Sequence, residues 1–291
     1  MNLIKKGDKA ALVCCSNGQD KSAEDTVRRL CEKLQEIGLI PVPGDFIYKK
    51  EYGRSGTARE RADSLMNFYR NDEIKVIFDI SGGDLANEIL PYLEFDEIAG
   101  KDKLFFGYSD LTTIINAIYV KTNRQSVLYQ IRNLVYQYSG RQMIDFCDSM
   151  MGESDKLFDF SYHFHQGQEM KGIIVGGNIR CLLKLAGTTY FPDCKGKILF
   201  LEAFSGSASR IITYLSQLEQ IGAFSEISGV LLGTFTELCG EGEEPVLAAE
   251  LVRDCIGTNI PIAYTKEIGH GPDSKALCIG QYYHLKNRGR I

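Results

Sequence analysis

The chain has 291 residues, 44% of them hydrophobic, which is enough for one large or two medium cores. Its 33 Lys and Arg stand against 38 Asp and Glu, a formal charge of −5 with no basic block and no interleaving of basic and aromatic residues, which excludes nucleic acid as a main partner. Nine scattered cysteines, odd in number and never spaced Cys-x-x-Cys, exclude a disulfide framework or a cysteine zinc site and fit a reducing cytoplasm.

Met1-Asn-Leu-Ile-Lys-Lys-Gly-Asp-Lys9 lacks the apolar core of a signal peptide. No later run approaches the ~18 apolar residues of a membrane span, so a cytoplasmic protein without a membrane partner is the expectation. Lys9–Cys15 reads as a first buried strand, closed by the loop Ser16-Asn17-Gly18. From Ala23 to Ile37 the apolar positions Val27, Leu30, Leu34 and Ile37 keep helical spacing, and Gly38 is a natural stop. Leu39–Val42 is a short second strand, Tyr48–Thr57 a loop, and Ala58–Arg70 an amphipathic helix. Ile74–Ile80 is the next strand. It runs into Ser81-Gly82-Gly83-Asp84, after which a helical pattern covers Leu85–Leu93.

A glycine pair between strand and helix lets the backbone approach a ligand and turns N–H groups toward negative charge; a tight turn needing positive φ explains it equally well. Neither a G-x-G-x-x-G nor a Walker A pattern is present, so a nucleotide fingerprint is not supported. The stretch Lys103-Leu-Phe-Phe-Gly-Tyr-Ser-Asp110 then passes from a buried strand through a sharp turn into a helix with Leu111, Ile114, Ile115 and Ile118 on its apolar face. Alone, Ser109 or Asp110 there is first of all a helix cap. The sharper reading is a nucleophile at a strand-to-helix turn, which needs a base, an acid and an oxyanion site elsewhere.

Alternating strands and helices up to about residue 120 predict a parallel, Rossmann-like α/β domain over 1–150, whose ligands gather beyond the carboxyl ends of strands, where Ser81–Gly83 and Ser109 both lie. Residues 121–170 are polar and aromatic, with a charged loop at 152–156, and read as a crossover. From Gly172 onward shorter strands predominate (Ile173–Val175, Lys197–Leu201, Gly229–Gly233 and Ala276–Leu285). Helices at Ser207–Ile221 and Pro245–Ile256 make a mixed α+β domain over 151–291. Glu202 closes one of those strands, where a carboxylate ordinarily faces water. His270 sits between Gly269 and Gly271 and, of the four histidines, is the best candidate base. The terminal Lys286-Asn-Arg-Gly-Arg290, the nearest approach to a basic cluster, reads as a frayed tail.

Taken together the chain resembles the serine LD-carboxypeptidases of the muramoyl-tetrapeptide type, a family that includes the microcin C self-immunity peptidases. The resemblance rests on Lys6-Gly-Asp8, Gly82-Gly83, Gly107-Tyr-Ser-Asp110, Gly176-Gly-Asn178, Gly187-Thr-Thr-Tyr190, Gly196–Glu202, Leu232–Thr236 and Gly269-His270-Gly271, in family order and spacing. It implies a C-terminal domain of swivelling β/β/α-like type. It also implies Ser109 as nucleophile, His270 as base, Glu202 as its orienting acid, and an oxyanion site at the N–H groups of Gly83 and Asp110. Ser81, Gly82 and Asp84 fall at the substrate. The implied reaction is release of terminal D-alanine from a murein tetrapeptide, by a homodimer, with no metal or cofactor. Two alternatives remain: the same three residues acting on a peptidyl or aminoacyl nucleotide, with Tyr136–Tyr138 as nucleobase platform, or a catalytically silent binding protein. The chain departs from the family where Ser81 replaces an arginine, where Gly83-Asp84-Leu85 replaces Gly-Tyr-Gly, near Tyr129-Gln130, where a Gly-Pro pair is usual, and at Cys278, where proline is usual. An inward-pointing Asp84 would disfavour an anionic substrate group.

Overall fold

A computed structural model describes residues 4–152 and 154–287. Residues 1–3 of the N-terminal segment, Glu153 of the charged loop and residues 288–290 of the basic tail lie outside the described residues.

The chain enters through strand β1 (Lys9–Val13), helix α1 (Glu24–Glu36), β2 (Ile40–Pro43), α2 (Ala58–Arg70), β3 (Ile74–Asp79), the short helix α3 (Phe95–Ala99), β4 (Leu104–Gly107), α4 (Thr112–Thr122) and β5 (Ser126–Leu128). These strands pair in parallel in the order β5-β4-β3-β1-β2, so the sheet is doubly wound with its switch point between β1 and β3. Thr57 starts α2 with a capping box, its side chain accepting from the Glu60 N–H while Glu60 reaches back to the Thr57 backbone. Helix α5 (Ser139–Met150), which hydrophobic spacing did not reveal, buries Phe146 and Met150 in the core under this sheet.

The second half adds β6 (His163–Gln166), β7 (Glu169–Asn178), α6 (Ile179–Leu183), β8 (Ile198–Ala203), α7 (Ala208–Gln220), β9 (Gly229–Phe235), α8 (Thr236–Cys239), α9 (Val246–Ile256) and β10 (Ile262–Tyr264). Here β7, β8, β9 and β10 run parallel, with antiparallel strands at both edges, which makes the sheet mixed.

Two expectations are corrected. Ala276–Leu285 is not one strand: β11 (Leu277–Ile279) joins the first sheet beside β5, and β12 (Tyr282–Lys286) joins the second beside β7. Gly280, at φ +87, makes the turn between them, and a Cβ there would lie 2.7 Å from the Tyr119 ring. The helix expected over Leu85–Leu93 is a 3₁₀ turn, Ala86–Tyr92, interrupted by Pro91.

Helix α4 holds the two halves together. Every residue from Thr112 to Ile118 is buried, as expected of a helix with sheets or helices on all sides. Its Ile114, Ile115 and Ile118 share one core with Ile174 and Phe200 of the second sheet. Asn116, fully buried, accepts from the Gly176 N–H at 2.9 Å and donates to the Gly176 carbonyl at 2.8 Å, so it closes the edge of β7 as a neighbouring strand would. Asn116→Ala leaves both Gly176 groups buried without these partners, at about 1–3 kcal/mol each in the worst case. Urea unfolding is therefore expected to register a loss of about 2–4 kcal/mol, and a loss below about 1 kcal/mol would mean that Asn116 does not clamp β7.

Candidate active site

Ser109 stands where β4 ends, at φ +56, in the left-handed region that a serine seldom occupies. That turn points its hydroxyl away from the helix that follows. The expected cap is absent: Ser109 makes no side-chain capping bond, and its Oγ lies 3.3 Å from His270 Nε2. The other ring nitrogen, Nδ1, is 2.6 Å from Glu202 Oε2. The structure thus brings together three residues that the sequence spreads over 161 positions, from Ser109 at the end of β4 to His270 in the loop after β10.

Glu202 is not a strand-end carboxylate in water. It is fully buried inside β8, and its remaining oxygen, Oε1, accepts from Asn178 Nδ2 at 2.9 Å. Asn178 also caps α6 through Cys181 N, so the amide that fixes the carboxylate is itself fixed. The imidazole is packed between Tyr108, at 4.4 Å between ring centres, and Phe204, at 5.0 Å. The Gly269 backbone at φ +154 is required by contact: a Cβ would come within 1.8 Å of Thr234 Oγ1, whose hydroxyl also accepts from the His270 N–H. A hydroxyl, an imidazole and a carboxylate in this order can pass the serine proton to the ring while the carboxylate holds the tautomer and the charge.

Gly82, Gly83 and Asp84 line the cleft in front of Ser109. Gly83 has φ +123, and a Cβ would lie 2.1 Å from Asn17 Oδ1, so only glycine fits. Among the described residues the N–H groups of Gly83 and Asp110 donate to no protein acceptor, whereas their neighbours are spent: Asp84 N–H on Asn17, Leu85 N–H on Ser16 Oγ and Ala86 N–H on Asp110 Oδ2. The anion held by the turn after the glycine pair is therefore the Asp110 carboxylate. It is fully buried and also accepts from Ser16 Oγ at 2.6 Å and from Lys184 of the second half.

Ser81 lies at the cleft floor, but its hydroxyl is engaged, donating to Asp79 and accepting from the Ser16 N–H. Burial pushes the Asp79 carboxyl up, and hydrogen bonds from Ser81 and Cys15 oppose that shift. Asp84 is ion-paired with Arg180, whose hydrogen bond holds its carboxyl below the ordinary range. Arg180 therefore offsets the charge that Asp84 would otherwise present to an anionic substrate group. Sequence reasoning missed Arg132, Arg180 and Phe204 in the cleft, and Asn178 as partner of Glu202; for Asn178 the run Gly176-Gly-Asn178 was a signal. Tyr136 and Tyr138 do not line this cleft, and no group of three or more potential metal ligands occurs among the described residues.

Fold and site together define a peptidase of two α/β domains. Residues 10–129 match the LD-carboxypeptidase N-terminal domain and residues 171–285 the LD-carboxypeptidase C-terminal domain, and the chain belongs to this family. It is 25% identical to the microcin C7 self-immunity protein MccF of Escherichia coli, over 94% of this chain and 89% of that protein. It is 23% identical to the murein tetrapeptide carboxypeptidase of Pseudomonas aeruginosa, over 89% of this chain and 88% of that protein. The wild-type apo structure of MccF superposes with a TM-score of 0.86 at 24% identity, covering 97% of this chain and 94% of that one, and so shares the fold.

Proposed function

We propose that this chain is a serine carboxypeptidase that hydrolyses the LD-peptide bond releasing terminal D-alanine from a murein tetrapeptide. The observation that carries the reading is the continuous contact Ser109–His270–Glu202 beside the unspent N–H groups of Gly83 and Asp110. In this scheme Ser109 Oγ attacks the carbonyl carbon as its proton moves to His270 Nε2. The oxyanion is held by the two N–H groups, and the imidazolium then protonates the departing amine of D-alanine. Water, deprotonated by the same ring, hydrolyses the acyl-enzyme and restores the serine. Ser81, Gly82 and Asp84 belong to the substrate side through backbone and pairing rather than through a free Ser81 hydroxyl.

The second reading keeps these steps but acts on an aminoacyl nucleotide. Phe204 favours it: 57% exposed in the cleft, it offers an aromatic face on which a base could stack. Incubation with murein tetrapeptide, followed by mass spectrometry, is expected to show the tripeptide and free D-alanine. Cleavage of aspartyl sulfamoyl adenosine with the tetrapeptide left intact would overturn the first reading in favour of the second, and cleavage of neither would reject both.

A further inference from the structure

Among the described residues the acids in and under the cleft each have a partner, whereas one cation has no acid. Asp84 is paired with Arg180 and the buried Asp110 with Lys184, while Glu202 is held by hydrogen bonds with His270 and Asn178. Arg132 also lines the cleft, yet no carboxylate among the described residues lies within ion-pair distance of it. It is nevertheless held in place. Its Nε donates to Gln130 Oε1 at 3.2 Å, its Nη1 to Gln19 Oε1 at 3.0 Å, and its guanidinium rests 5.9 Å from the centre of the Tyr136 ring. The two glutamines are buried, 8% and 7% exposed, and Gln19 is itself anchored on the Ile80 carbonyl.

Carboxamide oxygens orient a guanidinium without cancelling its charge, and a guanidinium has five N–H donors, of which these contacts use two. The three that remain include both protons of Nη2, and they suit the two oxygens of a carboxylate. We propose that Arg132 is the specificity-determining residue that binds the free C-terminal carboxylate of the substrate, making the enzyme an exopeptidase. It takes the role that Arg180, already committed to Asp84, cannot take with its full charge. This assignment rests on the peptidase reading above and extends it to the group that selects the end of the chain.

The test uses Ser109→Ala protein, which holds substrate without consuming it, and two probes that differ in one charge: a murein tetrapeptide ending in D-alanine and its C-terminal amide. Calorimetry is expected to find the free acid bound about 10- to 100-fold more tightly than the amide, a preference that the added Arg132→Gln change erases and Arg132→Lys keeps in part. In the Ser109-intact background, Arg132→Gln should raise KM for the acid far more than it lowers kcat. A preference unchanged by Arg132→Gln, or no acid preference in the Ser109→Ala protein, overturns the assignment. If the wild-type protein cleaves the tetrapeptide while either result holds, only the Arg132 role fails; if it neither cleaves nor binds the peptide, the peptidase reading fails and takes the Arg132 role with it.

Discussion

Ser109→Ala is expected to lower kcat on the substrate by about 10⁴-fold or more while leaving binding and fold in place. The hydroxyl makes a single side-chain contact, the one to His270, so removing it opens no cavity in a core and strands no buried group other than a ring nitrogen that faces the cleft. Stability should therefore stay within about 0.5 kcal/mol of wild type. Ser109→Gly should be as inactive, yet more stable by up to about 1 kcal/mol, because glycine occupies φ +56 without the steric cost that serine bears there. Activity by mass spectrometry and unfolding by urea, on both variants, measure the two halves of this expectation. An alanine variant within tenfold of wild type would mean that another nucleophile acts and that the turn at Ser109 serves structure alone.

The alternation of strand and helix up to residue 120 was legible because α1, α2 and α4, of 11 to 13 residues, show their period and separate short apolar runs. The helix Ala58–Arg70 carries both its apolar stripe and its cap in the sequence, and its ends are those expected. Apart from the 12-residue helix α5, the elements that escaped are short or lie at edges. β5 and β10 have three residues each, too few for a two-residue alternation to stand out, and β6, His163–Gln166, has no apolar run to mark it. The return of β11 to the first sheet depends on a contact between residues about 150 positions apart, which no local pattern encodes.

The site divides along the same line. A serine at a strand-to-helix turn, a strand-end glutamate and a glycine-flanked histidine are local features, and the resemblance named all three. What they do for one another is not local. That Glu202 is buried rather than wet follows from Asn178 and His270, which lie against its two carboxylate oxygens. That Asp110 spends its carboxylate on Ala86, Ser16 and Lys184 explains why a Ser-Asp pair that reads as a helix cap leaves the serine free. Arg132 sits in a segment whose departure from the family pattern was visible at Tyr129-Gln130. Its isolation from any acid became visible only once the cleft was assembled.

The sharpest probe of that assembly is Glu202→Gln, a change of one atom. Oε1 of Glu202 accepts from Asn178 Nδ2, a donor that can meet only an oxygen, since Asn178 Oδ1 is committed to Cys181 N. A glutamine must therefore keep its oxygen toward Asn178 and turn its NH₂ toward His270 Nδ1. The ring can accept that bond only in the tautomer with its proton on Nε2, aimed at Ser109, and in that tautomer it cannot take the serine proton. Activity is expected to fall about 10³- to 10⁴-fold with little change in substrate binding. Adding Asn178→Asp tests the cause: if its carboxylate keeps an oxygen for Cys181 N, an acceptor now faces the glutamine NH₂ and the oxygen is free to face His270. That double variant should lie above Glu202→Gln in kcat, at a cost in stability from the acid it adds to a buried place. Equal activity of the single and double variants would mean that the loss comes from the missing charge rather than from the tautomer. A Glu202→Gln enzyme within tenfold of wild type would remove Glu202 from the relay altogether.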